Sequence, residues 1–399
     1  MDLRARLAVI GTAALAAIPL ALFGSGAEAA TIPAPSTVAT AHSCSTPAAG
    51  TASCMAVVRT DLATPHKLAP AATPSGYGPA DLQSAYNLPS STAGSGQTIA
   101  IVDAYDDPTA EADLSVYRSQ YGLPPCTTAN GCFKKVDQNG GTKYPRANGG
   151  WAQEISLDLD MVSAVCPNCS ILLVEASSSS FANLGTAVNR AAATPGVSAI
   201  SNSYGGSDAP DATYGSYYDH PGIAVTASSG DGGYGAEYPA SSHYVTAVGG
   251  TSLTRTSNSR GWSETAWSGA GSGCSQYNTG LSGQASAGTG CGTRAVADVS
   301  AVADPSTGVA VYDSTAYQGL SGWLVFGGTS VSSPIIASVY GLAGNHSTID
   351  NNYPYGHTSS LYDVTSGSNG TCTTTQWCDA RTGWDGPTGL GTPNGTGAF

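Results

Sequence analysis

Ser330 and a small set of carboxylates are the residues whose types and spacing suggest chemistry. Ser330 stands in WLVFGGTSVSSPIIASVYGLAG, Trp323 to Gly344, where an apolar run reaches two glycines and a threonine just before the serine. Beyond it, Ile335, Ile336, Val339 and Leu342 recur at helical spacing. Such a turn presents a hydroxyl at a helix N-terminus, where free N–H groups favour negative charge nearby. Gly327 and Gly328 allow close backbone approach, and Pro334 is tolerated early in a helix. This suits a nucleophile, although a serine or threonine here is also the ordinary helix cap.

A serine nucleophile needs a base. The histidines are His42, His66, His220, His243, His346 and His357, and none opens a helix in a His-Gly-Thr motif. His42 and His66 fall in or near an N-terminal leader, while His220 and His243 have loop-like neighbours. Carboxylates are better placed. In WAQEISLDLDMVSAVC, Glu154 and Asp158 are four residues apart and share one helical face, with Asp160 on another. Alone, that pattern also describes a solvated acidic face. Asp231 follows strand VTASS in Gly230-Asp231-Gly232-Gly233. It is either a turn aspartate or, if protonated, a donor to a developing oxyanion, a role that favours acid.

The elements that would position these groups alternate. Strands are predicted at Gln97–Val102, ending at Asp103, and at Ser170–Ala176, Val197–Gly205 and Gly222–Asp231. Helices are predicted at Thr109–Tyr121, Trp151–Ala164 and Phe181–Ala193. The fold class is α/β, three layers with a mainly parallel sheet covered by helices on both faces. Ligands collect at the carboxyl ends of such strands, where Asp103, Asp231 and the turn before Ser330 all fall.

Composition bounds the rest. With 399 residues, one large domain is more natural than several small ones. Arg4 and Arg6 precede the apolar run Leu7–Phe23 and the small-residue exit Ala27-Glu28-Ala29, so residues 1–29 read as a secretory signal peptide. No later stretch is apolar enough to span a bilayer, and no stable membrane association is expected. Residues 30–75 are rich in Ala, Thr, Pro and Ser without a sustained period, and read as a short propeptide or leader extension. The folded domain is expected over 76–399. Only 10% of residues are charged and the net charge is -13, which argues against a nucleic-acid partner. Ten cysteines fall into five close pairs, favouring local disulfides in an exported chain, with connectivity left open. Cys166-Pro167-Asn168-Cys169 is read as a structural bridge, with a redox or zinc motif as the alternative.

Five segments in order, EISLD (154–158), ASSGDGG (227–233), YPASSHYVTAVGGTSL (238–253), GGTSVSSP (327–334) and TGWDGPTGLGTPNG (382–395), resemble the sedolisins, the serine-carboxyl peptidases with a subtilisin-like fold. By that resemblance Glu154 is the general base, Asp158 its carboxylate partner, Asp231 the oxyanion-hole acid and Ser330 the nucleophile. Asp103 stands where the family often has a glutamate. The resemblance also implies one structural Ca2+ held by Asp363 and Asp385 with the carbonyls of Val364, Arg381 and Gly383, the hard oxygen ligands calcium prefers. Gly327 replaces the family's usual serine, Arg381 a usual glycine, and residues 30–75 are too few for the family's large prodomain. The expectation is a secreted, monomeric, acid-active endopeptidase of protein or peptide substrates. The alternatives are a non-catalytic secreted binding protein on the same fold and a neutral enzyme using a distant histidine.

Overall fold

Apolar runs without polar alternation, such as TIAIVDA and SILLVEA, form the central strands, because a parallel sheet buries both faces of each strand. The computed structural model describes residues 38–62 and 74–399, and the signal peptide expected at 1–29 lies outside them. From one edge the central sheet runs β12 (Trp262–Ala266), β11 (Thr246–Arg255), β9 (Ala224–Ser228), β7 (Val197–Asn202), β4 (Thr98–Ala104), β6 (Ser170–Ala176) and β5 (Phe133–Asp137), with β15 (Val299–Val302) also paired to β11. Every pairing is parallel except β12 on β11. Ile99 and Ile101 enter the core on one face, Ala100 and Val102 on the other.

One face carries α1 (Pro79–Ala85), α2 (Ala110–Gln120), α3 (Gly149–Val165) and α7 (Thr329–Ala343), whose apolar residues share a core with Ile99 and Ile101. The opposite face carries α4 (Phe181–Ala192). Short helices α5 (Asp211–Tyr214) and α6 (Ser282–Ala287) sit in connections. The Asn148 side chain caps α3 by accepting from the Gly150 and Trp151 amides at 3.1 and 3.2 Å. From Gly150 to Val165 every residue of α3 is buried, so its acids are interior groups and not a solvated face.

Two smaller sheets flank the carboxyl ends of the central strands. One is antiparallel, in the order β1 (Thr40–His42), β3 (Val57–Arg59), β17 (Leu320–Gly327), β16 (Val309–Tyr317). The other is β2 (Ser53–Cys54), β8 (Tyr204–Ser207), β10 (Glu237–Tyr238), and a two-residue pair joins β13 (Gly273–Cys274) to β14 (Ala295–Val296). The stretch expected to be an aperiodic leader therefore supplies strands to two sheets of the same compact unit, Val38–Phe399. All ten cysteines are paired locally: 44–54, 126–132, 166–169, 274–291 and 372–378. No helix among the described residues is long and apolar enough to cross a membrane.

Candidate active site

The turn between β17 and α7 places Ser330 one residue inside the helix, after Gly328 at φ +93°. Ser330 is fully buried, and its Oγ donates to the Ser203 carbonyl at 3.2 Å. Ser203 sits in the break between β7 and β8, where the sequence pattern reads as one strand. That break aims its backbone oxygen at the serine.

α3 faces α7 across this point. Glu154 and Asp158 are both fully buried, as their spacing of four on a buried helix requires. Neither Glu154 oxygen has a hydrogen-bond partner. The Ser330 hydroxyl and the Ala56 amide approach it closely enough to favour ionisation, without reaching hydrogen-bond geometry. Burial first, then the charge of Asp103, hold the Glu154 carboxyl well above the ordinary carboxylate range. Asp158 Oδ1 accepts from Ser203 Oγ at 2.8 Å, and burial, Asp103 and Glu154 push its carboxyl up in the same direction. Asp103 has no partner at either oxygen and is pushed up to about 8 by burial. Three buried, mutually repelling carboxyls with unpaired oxygens are costly and must share protons, which makes the cluster a candidate functional site. Asp160 points elsewhere, accepting from the Tyr312 amide at 2.9 Å.

Asp231 enters from the loop after β9. Its Oδ1 accepts the Thr329 amide at 2.7 Å and the Thr329 hydroxyl at 2.9 Å, while the buried Oδ2 has no partner. Burial raises its pKa to about 7 against those two donors. A Cβ at Gly328 would lie 2.8 Å from Asp231 Oδ2, so only glycine leaves that oxygen clear. Asp103, Glu154, Asp158, Asp231 and Ser330 thus meet at one place. Spacing alone does not reveal Ser203, Thr329 or Glu237, the last pushed up to about 8 by burial and then by Asp231. His220 and His243 bond instead to the carbonyls of Tyr217 and Thr279 and line a different cavity with His346.

Near the C-terminus, Gly383 N–H donates to Asp363 Oδ2 at 2.9 Å and Arg381 N–H to Asp385 Oδ2 at 3.0 Å. Asp385 is buried, and Asp363 is close enough to add to its raised pKa. Among the described residues no group of three or more His, Cys, Asp or Glu could hold a metal. Asp363 and Asp385 are close enough to interact, and carboxylates with main-chain oxygens are the donor type a hard cation takes.

Fold and site together define an α/β protein of subtilisin-like build whose buried serine faces carboxyls. No family model matches the chain. Kumamolisin of Bacillus sp. (strain MN-32) is 30% identical over 372 residues, covering 81% of this chain and 63% of that protein. Sedolisin of Pseudomonas sp. (strain 101) is 27% identical over 369 residues, covering 80% and 60%. A structure of Pseudomonas sedolisin, a serine-carboxyl proteinase complexed with two molecules of pseudo-iodotyrostatin, superposes with a TM-score of 0.65 at 25% identity, covering 81% of this chain and 96% of that one. These likenesses support placing the chain with the sedolisins. It spans under two thirds of the length of the curated relatives it matches.

Proposed function

We propose that this chain is a secreted serine-carboxyl endopeptidase acting on proteins or peptides in acid. The observation that carries the reading is the unpartnered, buried Glu154 carboxyl opposite the Ser330 hydroxyl at the start of α7. Glu154 takes the Ser330 proton as Oγ attacks the peptide carbonyl, and returns it to the leaving amine. Asp158 and Asp103 hold the shared protons that set the basicity of Glu154. Protonated Asp231 donates from Oδ2 to the oxyanion beside the N-terminus of α7. Water then hydrolyses the acyl-enzyme. Protonation of Asp231 requires a pH below about 7, which supports acid activity.

The signal-like N-terminus and five disulfides support export. Asp363 and Asp385, with the carbonyls of Val364, Arg381 and Gly383, would hold one structural Ca2+, which would cross-link two loops and take no part in the reaction.

The test is casein hydrolysis at pH 3 to 5 by the purified chain, Ser330→Ala and Glu154→Gln. Ser330→Ala should be inert and Glu154→Gln slower by about 10²- to 10⁴-fold with its fold intact. Equal turnover in all three would sink the assignment.

A further inference from the structure

We propose that the cavity at the far end of α7, walled by His220, His243 and His346, is a second binding site, which takes a small carboxylate on an apolar body when its imidazoles are protonated. The inference goes beyond the peptidase reading and does not depend on it.

The cavity has a volume of about 470 Å3 and lies at the amino ends of β9 and β11, the end of the sheet opposite the carboxyl cluster. Small-ligand sites are typically about 300 to 1,000 Å3. Tyr340, which lines it, is ten residues along α7 from Ser330, about 15 Å at the rise of a helix. The cavity is therefore separate from the catalytic cleft.

Three of the six histidines line this one space. His220 Nε2 bonds to the Tyr217 carbonyl at 2.9 Å and His243 Nδ1 to the Thr279 carbonyl at 3.1 Å. A carbonyl only accepts, so those nitrogens carry the hydrogens, and a second proton goes to His220 Nδ1 and His243 Nε2. Neither of these has a protein partner among the described residues. His346 Nδ1 is buried and also unpartnered. Protonation thus gives the walls new donors with nothing to bond. Three imidazoles also invite a metal, but among the described residues no three such groups could hold one.

The carboxylates in the lining are Asp219 and Asp350. With neutral imidazoles these two give the lining a formal charge of -2, and against three imidazolium charges the total becomes +1. The cavity changes sign. Other charges near its walls are occupied: Arg294 and Asp298 pair with each other, and Asp211 accepts from the His243 amide at 2.8 Å and the Tyr238 hydroxyl at 3.2 Å. Burial keeps the Tyr340 phenol neutral. Burial also holds His220 and His346 below the usual imidazole range, against the Tyr217 carbonyl and Asp219 in the case of His220, so the reversal belongs to acid.

Ile223, Val225 and Ile349 give the cavity an apolar wall, with the exposed Tyr244 beside them. A bare inorganic anion would leave that surface wet, whereas an organic acid covers it. The walls are fixed in advance. Asn351 Nδ2 donates to the carbonyls of His243 at 2.8 Å and Val245 at 3.1 Å, which ties the segment after α7 to the start of β11. Such preorganisation lowers the ordering cost of binding. A carboxylate ligand is ionised above about pH 4 and an imidazole is charged below about 6.5, so affinity should peak between those values.

The experiment is calorimetric titration of full-length Ser330→Ala with N-acetyl-phenylalanine, 3-phenylpropionate and N-acetyl-phenylalaninamide at pH 5 and pH 8. The acid that fits should bind at pH 5 and about tenfold more weakly at pH 8, and the amide should not bind. His220→Gln and His243→Gln, each added to Ser330→Ala, should weaken binding about tenfold, the scale of one charged hydrogen bond. Asp350→Asn keeps an oxygen for the Asn352 amide and removes a like charge, so it should tighten binding and carry it to higher pH. That gain serves as a second route should a histidine variant misfold. Binding of N-acetyl-phenylalanine alone would assign the site to the carboxyl ends of peptides, and binding of both acids to organic acids at large. No binding at pH 5, an amide that binds as well as the acids, or an affinity unmoved in all three variants would overturn the site.

Discussion

Asp231 Oδ1 takes both donors of Thr329, the amide at 2.7 Å and the hydroxyl at 2.9 Å, and so fixes which oxygen can carry a proton. Oδ2, buried and unpartnered, is the oxygen left free to carry a proton, and in the proposed mechanism it is the one that donates to the oxyanion. Asp231→Ala should lower kcat by about 10²- to 10³-fold, the usual loss for one oxyanion donor. Asp231→Asn keeps an oxygen for Thr329 and puts a permanent N–H donor at the Oδ2 position. It should therefore lose less, and the fall in activity as pH rises through about 7 should move to higher pH. The check is a kcat profile from pH 3 to 8; an unmoved alkaline limb in Asp231→Asn would remove Asp231 from that limb.

The same burial makes stability depend on pH. Asp103 and Asp231 are held near 8 and 7 by burial, above the value near 3.9 that an unfolded aspartate has. Between those values the folded chain binds more protons than the unfolded one, so unfolding free energy falls as pH rises from about 4 to about 8. Each carboxyl contributes up to about 1.4 kcal/mol per pH unit in that window. Denaturant titrations of Ser330→Ala, which removes self-digestion, should show the decline, and adding Asp103→Asn should flatten it. A slope untouched by Asp103→Asn would mean that its proton is already lost at low pH.

What was legible in the sequence divides along physical lines. TIAIVDA and SILLVEA read as strands because burial on both faces leaves an unbroken apolar run, and the α3 spacing placed Glu154 and Asp158 on one face. The serine turn was readable from Gly327, Gly328 and the helical spacing after them. The depth of α3 was not, since EISLDLD carries as many acids as a surface helix. Nor were β2 and β3, two and three residues long, because so short a strand has no period and its partners, Tyr204 and Gly327, lie far along the chain. The break at Ser203 was hidden because VSAISNSYG, Val197 to Gly205, reads as one continuous strand. Its one signal is the serine and asparagine run SNS before Tyr204, polar residues fully buried at a strand end.

Arg294 and Asp298 form an ion pair at 2.5 Å with neither side chain exposed. Arg294 also donates to the carbonyls of Ser242 and Val245, while Asp298 accepts from the Ala247 amide at 2.7 Å and the Tyr355 hydroxyl at 2.6 Å. The network is saturated, so losing one charge leaves the other buried and unpaired. Arg294→Ala should cost about 3 to 5 kcal/mol, and the double variant with Asp298→Ala distinctly less than the sum of the two singles. Additive losses in a denaturant double-mutant cycle would show the pair uncoupled.

Calcium dependence should appear in stability before it appears in catalysis, because Asp363 and Asp385 bond to loop amides and Ser330 bonds elsewhere. A cation bound at one hundred times its Kd would add about 2.7 kcal/mol to the folded state. Chelator should therefore lower Tm by several degrees, and millimolar Ca2+ should restore it. Asp385 is the wrong residue for the control: its carboxylate also accepts from Arg381 and from the Thr388 amide and hydroxyl, so replacing it breaks the loop regardless of metal. Asp363→Asn keeps an oxygen for the Gly383 amide while removing one of the two charges a cation needs. In that variant the gap between chelated and calcium-loaded Tm should close, with the chelated Tm near that of the parent. A parent whose Tm ignores chelator, measured by calorimetry on Ser330→Ala at pH 6, would leave these two aspartates as hydrogen-bond acceptors of the loop and nothing more.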